Sequence, residues 1–99
     1  MKLTTSPTPE DLTHLAQDIL FEIRTGLVSG VKISKSDQIV VVKISTNQET
    51  GHTGVFVHLW DRKSNTDDDI DLLQFGYDNA IEILRQNLKE TGGKFTRFQ

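Results

Sequence analysis

Apolar positions recur along the first third of the chain at spacings of three and four. Leu12, Leu15, Ala16, Ile19, Leu20, Ile23 and Leu27 form a single stripe on a 3.6-residue period. The stripe is preceded by Thr8-Pro9-Glu10-Asp11, a dense start signal. Thr8 can cap free N–H groups, Pro9 sits where its missing donor is not needed, and the two acids face the positive end of the helix dipole. The expected helix ends near Thr25-Gly26, and at the latest before Gly30. Phe21 lies off the stripe, about 180° from Leu12, either as a bare surface ring capped by Leu3 or as a contact with a second molecule.

The period then shortens to two. Gly30 to Ser34 reads as a short strand and Lys35-Ser36-Asp37 as a turn. Gln38 to Thr46 is a β-branched strand, Asn47 to Gly51 supplies turn residues, and His52 to Asp61 is the returning arm of a hairpin. Arg62 to Asp69 reads as a polar, acidic loop. Asp69 to Phe75 suits either a last strand or a first helical turn, and the strand is favoured because Gly76 then breaks it and Asp78 caps the next helix. Ala80, Ile81, Leu84 and Leu88 mark this closing helix, which stops at Thr91-Gly92-Gly93. Residues 1–7 are expected to be mobile, and 94–99 to be a tail that either pairs or frays. The predicted fold is one α+β domain of two layers: N-terminal helix, antiparallel meander of three to four strands, C-terminal helix, with both helices on one sheet face.

Strand side chains alternate between faces, so each long strand splits into two sets. Val40, Val42 and Ile44, with Val55, Val57 and Leu59, are purely aliphatic and are expected under the helices. The reverse face then carries Ile39, Val41, Phe56, His58 and Trp60, with nothing obvious left to cover it. Leaving such side chains wet forgoes roughly 1.5–3 kcal/mol each, and a contiguous patch of this kind marks an interaction site. Two arrangements would remove the patch: the tail folding back through Phe95 and Phe98, or the helices straddling the sheet.

Composition narrows the function classes. The 99 residues carry 11 Lys plus Arg against 14 Asp plus Glu, a net charge of −3. Leu, Ile, Val and Phe number 30, enough for a small core. The absence of Cys removes disulfides, thiolate metal sites and thiol nucleophiles. The longest apolar run, Ile39 to Val42, falls far short of the roughly 20 residues a membrane span needs. With a polar N-terminus, the expected address is cytoplasmic.

Candidate chemistry is sparse, and the expectation is a protein without catalytic residues, metal or cofactor. His52 and His58 share a strand face but stand roughly 20 Å apart along it, too far for one metal ion. Asp67, Asp69 and Asp71 alternate as in a calcium loop, but the sixth position is Leu72 where Gly is required and the twelfth is Asp78 where Glu is required. Thr91-Gly92-Gly93-Lys94 looks like part of a phosphate loop, yet it follows a helix and lacks the preceding strand. The element order resembles that of the double-stranded-RNA-binding domain. That family carries a basic cluster where its second helix begins, whereas here the positions are Asp78, Asn79 and Glu82.

Three function classes remain. The first is protein–protein contact through Ile39, Val41, Phe56, His58 and Trp60, with a second copy in an isologous dimer as the simplest occupant. The second is single-stranded nucleic acid stacking on the same rings, helped by Lys32, Lys35 and Lys43 but opposed by the net charge. The third is an acidic patch of Asp61, Asp67, Asp68, Asp69 and Asp71 that mimics phosphates toward a basic partner.

Overall fold

The computed structural model describes residues 7–98; the expectations for residues 1–6, Leu3 included, fall outside them. Helix α1 spans Pro9–Arg24, strands β1 to β4 span Gly30–Ser34, Gln38–Thr46, Thr53–Asp61 and Thr66–Asp71, a short 3-10 turn spans Leu72–Phe75, helix α2 spans Tyr77–Glu90, and β5 spans Thr96–Phe98. The sheet is antiparallel with strand order β4-β3-β2-β1-β5. This is the α+β arrangement expected, with one strand more. Among the described residues no helix is long and apolar enough to cross a membrane.

The start of α1 works as its residue types dictate. Thr8 Oγ1 accepts from the Asp11 N–H at 3.1 Å, and the Asp11 carboxylate accepts from the Thr8 N–H at 3.1 Å, a reciprocal capping box. The helix ends at Arg24 with Thr25 as its cap, so Leu27 lies beyond it and is exposed.

The buried apolar side chains of the strands share one parity. Val31, Ile33, Val40, Val42, Val55 and Val57 are within 2% of full burial. The register pairs Val31 with Val42, Ile33 with Val40, and Val42 with Val57. Leu12, Ala16, Ile19, Leu20 and Ile23 of α1 and Ala80, Ile81, Leu84 and Leu88 of α2 join them in one cluster. Both helices therefore lie on the same side of the sheet, packed against each other. Ile44 was expected in that core and is 43% exposed. The β1–β2 pairing stops at Gly30 opposite Lys43, so no strand flanks Ile44 on that side.

Three local expectations need correction. The acidic segment is not a loop to Asp69: only residues 62–65 turn, and β4 begins at Thr66. Asp61 shapes that turn by accepting from the Lys63 and Ser64 N–H groups at 2.9 and 3.2 Å, and Asn65 takes φ 55. The favoured strand over Asp69 to Phe75 holds only to Asp71, because Leu72 turns into the core and is fully buried. Asp78 does not cap α2; the cap is Gly76, which makes no side-chain bond.

The tail pairs. Phe98, Arg97 and Thr96 oppose Gly30, Val31 and Lys32, extending the sheet at its edge. A Cβ on Gly30 would stand 2.6 Å from the Val42 carbonyl oxygen and 2.8 Å from the Phe98 ring, so this close approach requires glycine. Phe95 packs on the helix-side core. Arg97 binds Glu22 of α1 in a fork, Nε and Nη2 donating to the two carboxylate oxygens at 2.6 and 3.1 Å.

Two outcomes are expected. Gly76 combines φ 93 with ψ 157, a region open essentially to glycine alone, and a Cβ there would meet nothing within 4 Å. Gly76→Ala should therefore destabilise by about 1–3 kcal/mol through backbone strain without a clash, read by urea denaturation. The hydrogen bond from Arg97 holds the Glu22 carboxyl below its ordinary value of 4.5. A depressed carboxyl contributes stability above its unfolded pKa and loses it as pH falls through the folded value. Glu22→Gln should thus lower stability at neutral pH, by under about 1 kcal/mol for so exposed a pair, and the gap to the parent should close in acid; a gap independent of pH would contradict it.

Candidate interaction face

The face turned away from the helices is ordered in rows by the strand register. The first row runs Asp67, Trp60, Ile39, Ser34 from β4 to β1; the second runs Asp69, His58, Val41, Lys32; the third runs Asp71, Phe56, Lys43, Gly30. The five residues predicted as a patch, Ile39, Val41, Phe56, His58 and Trp60, are thus contiguous on two adjacent strands. Ile39, Val41, Phe56 and His58 are half-buried by their neighbours, and Trp60 is 38% exposed. Neither helix reaches this face. The Phe98 ring, opposite Gly30 in the register, lies at the margin of this face over Gly30 and beside the Lys43 Cβ.

The acidic residues separate into three groups. Asp67, Asp69 and Asp71 form a column on β4 beside the rings. Asp68 pairs with Leu59 and therefore belongs to the opposite face. Asp61 has its carboxylate engaged in the turn. Sequence reading missed the column because Asp is depleted in strands, and a run of acids is ordinarily solvated loop. The signal available was the pair of turn formers, Asp61 and Asn65, four residues apart.

Two carboxylates of the column have imidazole partners within the face. His58 Nδ1 donates to Asp69 Oδ1, and His52 Nε2 stands 3.0 Å from Asp71 Oδ2. In the neutral ring this leaves His58 Nε2 as a bare acceptor. That nitrogen is enclosed and has no partner among the described residues, as is true of Asp71 Oδ1. His58 therefore has one nitrogen taken by a carboxylate and the other shut off from solvent, poor geometry for proton exchange with a substrate. Trp60 Nε1 donates to Asn65 Oδ1 at 3.1 Å, which fixes the indole against the β3–β4 turn.

The lysines do not act together. Lys35 leaves the face altogether, its Nζ donating to Asn87 and Glu90 of α2 at 2.9 and 3.2 Å. Lys32 and Lys43 stay on the open side, and their ammonium groups make no hydrogen bond or ion pair among the described residues. The face accordingly grades from acid on β4, through rings on β3 and aliphatic groups on β2, to free positive charge at Lys43 and Lys32.

Other candidates are less developed. No three His, Asp or Glu residues converge at metal-binding distance among the described residues. Residues 91–94 form a helix stop, with Gly92 and Gly93 at positive φ and the Thr91 hydroxyl on the Leu88 and Lys94 carbonyls. Phe21 is 61% exposed and borders, with Tyr77 and Arg24, a shallow hollow between the helices. A second hollow beside β4 is lined by Ile70, Phe75, Asn79, Glu82 and Ile83. No family model, curated protein or solved structure matches the chain.

Asn65→Gly keeps the positive φ that the turn requires while deleting the acceptor for Trp60. Quenching by acrylamide of the single Trp should become more efficient, with the fold retained. Unchanged quenching would mean that this hydrogen bond does not hold the indole.

Proposed function

We propose that this chain is a small non-catalytic interaction domain that self-associates through the open face of its sheet. The observation that carries the reading is the unbroken set Ile39, Val41, Phe56, His58 and Trp60 on a face that both helices turn away from. Aromatic anchors at the centre of a patch, with charged groups at its margins, are the ordinary composition of a protein contact surface. His58, with Nδ1 on the Asp69 carboxylate and Nε2 closed off from solvent, supports a role without catalysis.

Stacking of a single-stranded nucleic acid on Phe56 and Trp60 is the weaker reading. Asp67, Asp69 and Asp71 stand next to those rings and would repel phosphates, and Lys35, one of the three lysines that reading needs, is tied to α2. Counterion release would then contribute little. An acidic mimic acting on a basic partner is also less favoured, since Asp69 and Asp71 already face histidines and Asp61 and Asp68 lie elsewhere.

Trp60→Ala should leave a folded monomer, by circular dichroism, whose self-association is weakened about tenfold or more, as for a central aromatic anchor. Light scattering across a dilution series reads this. A parent chain that stays monomeric at every concentration, with Trp60 freely quenched, removes the proposal.

A further inference from the structure

We infer that two copies of this chain meet face to face about a two-fold axis that runs along the strands, midway between β2 and β3, so that Asp69 of each copy faces Lys32 of the other. This inference rests on the reading of the open face as a self-association surface and adds the register. Two sheets packed through their faces lie about 10 Å apart with strands roughly aligned. Rotation about an axis along the strands exchanges left and right and preserves position along the strand. With the axis between the two central strands, β4 of one copy lies over β1 of the other and β3 over β2.

Each row then meets itself reversed. In the middle row, Asp69 lies over Lys32 and Lys32 over Asp69, while His58 lies over Val41. In the first row, Trp60 lies over Ile39. In the third, Phe56 lies over Lys43, an ammonium against a ring face. The two unpartnered ammonium groups of the face are thereby placed, one on a carboxylate and one on a ring. The middle row lies where the angle between two twisted sheets displaces contacts least.

The alternatives are worse on the same charges. A two-fold running across the strands would lay β4 on β4, carboxylate over carboxylate. Edge-to-edge pairing through β4 sets Asp against Asp, the ordinary means by which an edge strand is kept from templating more sheet. The other edge, β5, offers three residues.

Single charge reversals test the register. Asp69→Lys should place Lys over Lys at both ends of the middle row, and Lys32→Asp should place Asp over Asp. Each variant alone should self-associate about tenfold or more weakly than the parent. An equimolar mixture should recover the parent's affinity as a heterodimer, because each contact again joins a lysine to an aspartate. Lys32→Asp leaves the His58–Asp69 pair intact, so it separates repulsion from loss of that bond, and circular dichroism confirms the fold of both. If the parent dimerises and responds to Trp60→Ala but the single reversals associate normally, or the mixture fails to recover, the register is wrong and the open-face reading stands. If the parent does not self-associate, both fall.

Discussion

One-sided burial organises this molecule. The strands place Val31, Ile33, Val40, Val42, Val55 and Val57 on a single face, and two amphipathic helices with one apolar stripe each can satisfy only one face of a sheet this wide. Joining the helices on that side lets them also bury against each other, so that Leu12, Leu20, Leu84 and Leu88 share one buried cluster with the strand valines. Moving either helix to the reverse would halve the core and expose its stripe, forfeiting roughly 25 cal/mol for each Å² of apolar surface returned to water. The bare reverse face is the consequence of that choice.

The reverse face is equally constrained in its charges. Two of the acids in the column at the sheet's edge are held by imidazoles, His58 from the adjacent strand on Asp69 and His52 from the β2–β3 turn on Asp71. Lys35 is drawn to Asn87 and Glu90, where it fastens the β1–β2 turn to α2. The remaining positive charges sit two and three strands away from the acids. Within one molecule that separation leaves a dipolar surface, negative along one edge and positive toward the other.

The elements with strong local periodicity were legible from residue types. The stripe and cap of α1, the hairpin of β2 and β3, and the core face of both arise from pattern alone. Where legibility failed, tertiary context overrode propensity. Thr66–Asp71 is a strand because β3 offers it partners, although its composition argues for a solvated loop. Leu72 leaves the strand because the core claims it. Ile44 has the parity of a core residue but lacks a neighbouring strand, and parity says nothing about where a partner ends. The open face was readable as a set of side chains; its charge gradient was not, because it depends on β4 lying beside β3 and on Lys35 turning away.

The tie between Glu22 and Arg97 joins residues 75 positions apart, and α2 closes over the stripe of α1 from a comparable distance. During synthesis α1 emerges well before either partner and must wait, its greasy side unprotected, until α2 and β5 have left the ribosome. A stop codon introduced ahead of α2 would remove Ala80, Ile81, Leu84 and Leu88 from the core and leave the stripe of α1 open to water.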